Sequence, residues 1–183
     1  MKHDLRHTDD LTDDDPHELL ELEERCFGPP EQHRQALRLV PAPATDTKYI
    51  VRVWEGNQLV SCLWLTQRSI LIDGQPTRAV GVRGVRADPA YRRRGYARVA
   101  MEQATNFIWQ TLQPELALLI SSEMAVPFYQ ALGWHALTGP VFCAQPEGTM
   151  NLSAALPKNL VMVMLPSGGR RPQGTVDLCG FPW

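Results

Sequence analysis

A chain of 183 residues, 44% hydrophobic and 21% charged, is long enough to bury a sizeable core and predicts one domain. The formal net charge of −2 argues against nucleic acid as a partner, because nucleic-acid-binding domains usually carry a basic excess. No apolar run reaches membrane-spanning length, and the polar stretch 1–15 does not resemble a secretory signal. We therefore expect a cytoplasmic protein without a membrane partner. The four scattered cysteines lack metal-ligand spacing, which favours reduced thiols and no metal.

The N-terminal part predicts a short strand over 2–6 and then helices. Asp15 is predicted to cap the first helix, with Pro16 in its first turn. Gly28-Pro29-Pro30 is predicted to end that helix. A second short helix over 31–38 and a loop over 41–46 are expected to follow.

A run of strands is predicted next. Residues 49–54 and 59–68 flank the hairpin signal Glu55-Gly56-Asn57-Gln58. Residues 69–71 continue to a second turn, Asp73-Gly74-Gln75-Pro76, and 78–86 form another strand. After Pro89 the apolar residues recur at helical spacing, which predicts a helix of about five turns that begins near Gly95.

The C-terminal part alternates strands and helices. It predicts a strand over 115–121, a helix over 125–132 that Gly133 ends, closing strands over 134–143 and 159–165, a loop over 167–174 and an apolar tail that docks. We therefore predict an α/β fold of the α+β type, with a central mixed, mostly antiparallel sheet flanked by helices. One domain is expected over 1–183, with its core motif at about 78–134 and a docked C-terminal segment over 167–183.

The segment from Val85 to Ala97 carries the strongest functional signal. It reads as a strand, a turn with three arginines, and the start of a long helix. The backbone N–H groups at such a helix start converge on one point and, with the helix dipole, favour a phosphate group. Gly95 allows close approach, the small Ala97 leaves the first turn open, and the arginines add charge. The alternative is a solvated basic turn that only caps the helix.

This segment resembles the acetyl-CoA-binding motif of the GCN5-related N-acetyltransferase (GNAT) superfamily, Gln/Arg-x-x-Gly-x-Gly/Ala. The resemblance implies a GNAT-like fold with acetyl-CoA as co-substrate. It implies that the Val85 N–H polarises the thioester carbonyl, as in an oxyanion hole, and that Ala87 binds the pantetheine arm. The pyrophosphate would be held by six consecutive residues: Arg92, Arg93, Arg94, Gly95, Tyr96 and Ala97.

A second segment, 116–134, is similar to the later strand and helix of the superfamily. It places Tyr129 where the family has a tyrosine that protonates the leaving thiolate; a core aromatic residue is the alternative. Ser122 is expected to bind the pantetheine, and Ser121 the acceptor. Transfer would be direct, in a ternary complex, without a cysteine nucleophile.

The whole chain is similar to one subgroup of the superfamily, the aminoglycoside 2′-N-acetyltransferases. The stretches that carry this resemblance are His7–Leu11, Gly84-Val85, Leu118–Trp134, Gly139-Pro140, Val161–Pro166, Leu178-Cys179 and Trp183. In that subgroup, acidic side chains and the C-terminal carboxylate receive the cationic antibiotic. The resemblance therefore implies that the carboxylate of Trp183 and the backbone at Gly84 contact the acceptor, with an ordinary docked tail as the alternative.

One departure concerns Arg83, which stands where the subgroup has a glutamate that binds and deprotonates the amine. Arginine cannot act as a base and repels a polycation. This favours an acceptor with fewer amines and a carboxylate that Arg83 grips, such as kasugamycin; a surface salt bridge is the alternative role for Arg83. Glu123, His135 and Asp177 are weaker candidates for the base.

Two other functions stay open. One is acetylation of a protein N-terminus, a lysine or another small-molecule amine. The other is a non-catalytic acyl-CoA-binding protein, which the missing glutamate favours. A homodimer is compatible with the aromatic tail and the late strands, but the sequence does not fix the oligomeric state.

Overall fold

The structure is a computed structural model and describes residues 1–29, 41, 48–156 and 158–183. The helix predicted over 31–38 lies outside these residues, as does the loop predicted over 41–46 apart from Pro41. The strands are β1 Lys2–His7, β2 Tyr49–Glu55, β3 Gln58–Ile72, β4 Gln75–Ala87, β5 Leu116–Ser122, β6 His135–Ala136, β7 Val141–Gln145, β8 Gly148–Asn151, β9 Asn159–Met164 and β10 Val176–Asp177. The helices are α1 Asp15–Phe27, α2 Tyr96–Phe107, α3 Val126–Gln130 and α4 Leu152–Ala155.

Short helical turns join several of these elements. Turns of 3-10 helix span Thr8–Asp10, Pro89–Tyr91 and Glu123–Ala125, and a π-helical turn, Ile108–Leu112, prolongs α2. The helix predicted to begin near Gly95 is therefore confirmed.

The described strands form one mixed sheet. Its order is β6-β9-β5-β4-β3-β10-β7-β8, and β2 and β1 extend from the first half of the long strand β3. Only the β4–β5 and β10–β7 pairs of this described sheet are parallel. Parallel neighbours need a crossover connection, and α2 supplies it between β4 and β5. The predicted mixed, mostly antiparallel sheet is confirmed.

Helices cover the sheet on both faces. The apolar side of α2 packs on Val80 and Val82 of β4 in the largest core cluster. Side chains alternate along a strand, so Ala79 and Gly81 face the other side, where the tail residues Leu178 and Trp183 pack. The side of the sheet that carries α1 and the tail is called the α1 face below.

Two predictions about local structure are wrong. Asp14, not Asp15, is the residue before α1, and its side chain makes no capping hydrogen bond. Asp15 lies inside the helix and is nearly buried, because its carboxylate accepts from Thr12 and pairs with the buried Arg52. Burial opposes ionisation of Asp15, but the Thr12 backbone N–H and Arg52 outweigh it and lower its pKa.

The closing strand predicted over 134–143 is not continuous. It consists of β6 and β7, which pair with different strands, and Gly139-Pro140 lies in the break. Proline lacks the N–H that a strand ladder needs. The structure also adds β8 and α4, which the sequence pattern does not reveal. At the end of the chain, Trp183 packs against the sheet and is only 8% exposed.

Candidate active site

Strand β4 is kinked at Gly84. Arg83 pairs with Trp64 and Arg86 with Cys62, so that Gly84 and Val85 together lie opposite Leu63. This is a β-bulge, which bends its strand. Gly84 has a φ of +57°, and a Cβ there would lie 2.9 Å from the Trp64 ring. Both the backbone conformation and the space therefore require glycine at this position.

Strands β4 and β5 separate beyond this bulge. Their last pair is Val82 with Leu119, although β4 runs on to Ala87 and β5 to Ser122. The Asp88 N–H donates to the Val60 carbonyl of β3 over 2.8 Å. Because N–H groups alternate along a strand, those of Ala87 and Val85 turn away from β3, towards the gap. We call this gap the fork.

The turn after β4 is anchored by Asp88, a residue that the sequence analysis missed. Asp88 is 2% exposed, and its carboxylate accepts from the Ala90 N–H at 2.9 Å, from Arg25 Nε at 2.7 Å and from Gln58 Nε2 at 3.3 Å. The Asp-Pro sequence before a helical turn is a capping signal. Its partners on α1 and β3 are distant in sequence and leave no such signal.

The predicted phosphate cradle forms a concave surface at the start of α2. Arg93 and Gly95 both have left-handed backbone conformations, with φ of +62° and +88°, and such residues turn successive N–H groups to one side. A cavity of about 390 Å³ lies there, lined by Ala87, Tyr91, Arg92, Arg93, Gly95, Tyr96, Ala97, Arg98 and Phe128.

The arginines of this turn differ in their placement. Arg92 and Arg93 line the cavity, whereas the guanidinium of Arg94 lies over the Tyr91 ring, 5.4 Å from its centroid. Arg98, one turn into α2, also lines the cavity, although it lies outside the sequence motif. Positive charge therefore surrounds the start of the helix and adds to its dipole.

Tyr129 lies in the core cluster beneath α2 and is 7% exposed. Its ring packs edge to face on Phe128 and Trp134, with centroids 5.1 and 6.5 Å away. Burial raises the pKa of Tyr129 to about 12. The phenol is therefore protonated at neutral pH and able to donate, next to a residue that lines the cavity.

The serines at the end of β5 occupy different environments. Ser121 is 3% exposed and its hydroxyl donates to the Ser122 carbonyl at 2.9 Å. Ser122 itself is exposed. Both lie beyond Leu119, on the β5 side of the fork.

On the α1 face, aromatic rings and arginines follow β4. The Trp183 ring lies directly on Gly81, and Arg68 stacks over that ring at 5.3 Å while its Nη1 donates to the Phe181 carbonyl at 2.8 Å. Arg83 and then the bulge come two and three residues later. The predicted acceptor residues Arg83 and Gly84 thus lie on β4 close to Gly81, against which Trp183 packs, across the sheet from α2.

Across 1–29, 41, 48–156 and 158–183, no group of three or more His, Cys, Asp or Glu side chains is placed to hold a metal ion. Among the helices in the same ranges, none is both long and apolar enough to cross a membrane.

A bulged strand, a fork beside it and a basic turn at a helix start together form a site suited to an anionic ligand and to the stabilisation of negative charge that develops in a reaction. A family model described as an acetyltransferase (GNAT) domain matches residues 7–137. The chain belongs to this family and is an N-acetyltransferase that uses acetyl-CoA.

Solved structures share the fold. An acyl-CoA N-acyltransferase from Pseudomonas aeruginosa is 22% identical, with a TM-score of 0.60 over 88% of this chain and 97% of that one. A GNAT family N-acetyltransferase from Escherichia coli, in complex with CoA, is 13% identical, with a TM-score of 0.63 over 98% and 91%. A GNAT family acetyltransferase from Brucella melitensis, in complex with acetyl-CoA, is 16% identical, with a TM-score of 0.59 over 96% and 94%. A search of curated proteins found no significant match.

Proposed function

We propose that the enzyme acetylates an amine of an aminoglycoside-type antibiotic, at a 2′-amino group, and thereby confers resistance; a kasugamycin-like acceptor is favoured. The main support for this site is the fork, because it exposes backbone N–H groups of β4 beside the basic turn over 92–97. The acceptor class rests on the resemblance to the 2′-N-acetyltransferase subgroup and on the arginines of the α1 face.

In this proposal the acetyl-CoA lies along the end of β4. Residues 92–97 take the pyrophosphate, and the Ala87 N–H with Ser122 binds the pantetheine. The Val85 N–H donates to the thioester oxygen and stabilises the negative charge that develops there, a contribution of about 3–4 kcal/mol in comparable sites. The described cavity, which Ala87 and Arg92 both line, supports this path.

Tyr129 is proposed to donate to the departing sulfur. With a pKa of about 12 against about 8.5 for an alkyl thiol, complete proton transfer from phenol to thiolate costs about 5 kcal/mol. Tyr129 therefore acts chiefly as a hydrogen-bond donor while the carbon–sulfur bond breaks. Its proton is replaced by the one that the attacking nitrogen loses, so that no phenolate accumulates.

The acceptor is proposed to approach from the α1 face, because the acetyl-CoA occupies the face that carries α2. Arg83 would bind a carboxylate of the acceptor, and Ser121, Gly84 and the Trp183 carboxylate would complete its site. A polycation meets unfavourable charge at Arg83, whereas an amine with a carboxylate meets complementary charge.

A resistance assay tests the acceptor class. The chain is expressed in a sensitive bacterium, and growth is compared on kasugamycin, gentamicin and apramycin, with Tyr129→Phe as the matched control. We expect resistance to kasugamycin alone, together with acetylated product in cell extracts. Turnover of peptide or metabolite amines without any antibiotic would replace the proposed acceptor class, and tight CoA binding without turnover would indicate a non-catalytic protein. The cytoplasmic location and the homodimer remain predictions.

A further inference from the structure

Arg86, which follows Val85 on β4, is held between two aromatic rings on the α1 face. Its guanidinium lies 4.6 Å from the Trp64 centroid and 5.4 Å from that of Phe27. Its Nε donates to the Gly84 carbonyl at 3.3 Å, inside the bulge. The side chain is only 11% exposed. Arg86 therefore has a fixed position directly beside the proposed oxyanion site.

Glu23 of α1 is the carboxylate that meets this guanidinium. Its Oε2 lies 3.0 Å from Arg86 Nη1, yet that buried nitrogen makes no aligned hydrogen bond within the described chain. The Glu23 side chain is one-third exposed. A carboxylate offers about four lone-pair positions, and Arg86 is its sole ion-pair partner among the described residues. Glu23 thus presents accepting positions to a ligand on the α1 face.

A carboxylate on this face would assist the reaction. An aliphatic amine reaches the site mostly as ammonium and must lose a proton before it attacks. Arg83, at the edge of the same face, cannot accept that proton. Glu23 pairs with Arg86, and Arg86 donates to the carbonyl of Gly84, the residue before Val85.

We propose that Glu23 binds the acceptor's ammonium group and accepts its proton, through a bridging water, and that Arg86 is the positioning residue that holds Glu23 beside the bulge. This rests on the proposed placement of the thioester at Val85. The first ammonium proton passes to Glu23 and then to solvent. The amine lone pair forms the carbon–nitrogen bond, and the carbon–sulfur electron pair leaves with sulfur while Tyr129 donates a hydrogen bond to it. The second nitrogen proton reaches the sulfur through Tyr129, whose own proton is replaced in the same step.

Other charged or titratable groups lie near this pair. Arg86 faces Glu23 from β4, Cys26 lies on the same helix, Cys62 faces it from β3, and Asp88 and Arg92 lie near Cys26. Burial raises the pKa of Cys26, and it raises that of Cys62 to about 12. Neither thiol therefore takes up the proton of an amine at neutral pH.

The test compares Glu23→Gln with Glu24→Gln, its exposed neighbour on α1. The acceptor kcat/KM is measured from pH 6 to pH 10, with an acceptor that the wild type acetylates. An amine with a pKa of about 8 is roughly 10% neutral at pH 7. We therefore expect E23Q to lose about tenfold at pH 7 and to approach the wild type within about twofold near pH 9.5, while E24Q follows the wild type throughout.

Arg86→Lys is the second variant. It keeps the charge but loses the planar stacking and the fork geometry of the guanidinium, so we expect a smaller loss of kcat/KM with the same pH dependence. A loss in E23Q that stays constant with pH would show a merely structural role and overturn the inference, as would activity equal to that of E24Q. If the wild type acetylates no amine, the proposed function and this inference fail together. If the wild type acetylates an amine and E23Q does so with the same kcat/KM at every pH, this inference alone fails.

Discussion

The contact between Gly81 and Trp183 allows a sharp test of how the tail is held. A Cβ at residue 81 would overlap the indole ring, and β4 is extended there, so Gly81→Ala adds one methyl group against a packed aromatic ring. Overpacking of this kind costs about 1–3 kcal/mol. We expect G81A to lower the free energy of unfolding by about 2 kcal/mol.

The second arm of the test removes the ring. Trp183→Ala deletes a buried aromatic side chain and should cost about 3 kcal/mol. In that background the added methyl meets no ring, and alanine is favoured over glycine in a strand by about 0.5 kcal/mol. G81A should therefore become slightly stabilising in W183A, which corresponds to a coupling of about 2.5 kcal/mol between the two sites.

Urea unfolding followed by far-UV circular dichroism measures the four proteins, because fluorescence would change with the loss of a tryptophan. Equal costs of G81A in both backgrounds would refute the argument, since the strain would then lie elsewhere. The acetyl-CoA KM should stay within about twofold in all four proteins, because the cradle lies on the opposite face.

Three further predictions concern charges and protons. Asp88→Asn removes the charge that Arg25 binds and loosens the turn after β4, so the acetyl-CoA KM should rise about tenfold with kcat nearly unchanged. Steady-state kinetics measures both constants, and an unchanged KM would contradict the anchoring role of Asp88. Burial raises the pKa of Tyr129 to about 12, so the contribution of the neutral phenol to the stability of the fold is complete below about pH 10 and is lost as pH rises towards 12. Ultraviolet titration, with Tyr129→Phe as the reference, should show ionisation of Tyr129 only above about pH 11. Arg52→Met leaves the buried Asp15 without its ion-pair partner and leaves Asp4 with Arg6 alone, and it should cost about 3–5 kcal/mol. Since the Asp15 pKa is lowered, that stability is present above about pH 4 and lost as pH falls, so acid unfolding of the wild type should be steeper than that of the variant.

Local signals in the sequence predicted the elements that depend on local chemistry. Glycine and asparagine at 56–57 predicted the β2–β3 turn, and the change of period after Pro89 predicted α2. The Arg-x-x-Gly-x-Ala spacing predicted the surface that now lines the cavity. Each of these depends on backbone conformations that a few neighbouring residues determine.

Features that depend on distant partners were not predictable. The bulge at Gly84 is defined by register against β3, and nothing within 83–86 indicates that Trp64 fills the space beside it. Asp15 was predicted to cap a helix because a local sequence pattern does not reveal its ion pair with Arg52, 37 residues away. Arg86 and Glu23 became a candidate pair only when α1 and β4 were brought together by the fold.

The two-residue strand β10 joins two parts of the described sheet. The hairpin of β7 and β8 meets the main sheet through β10, which follows β8 by about 25 residues. Detachment of β10 would therefore leave an edge of β7 and an edge of β3 without a partner, and such edges can pair with other chains. A change that weakens the packing of the tail is expected to promote association between copies of the enzyme before it unfolds the rest of the sheet.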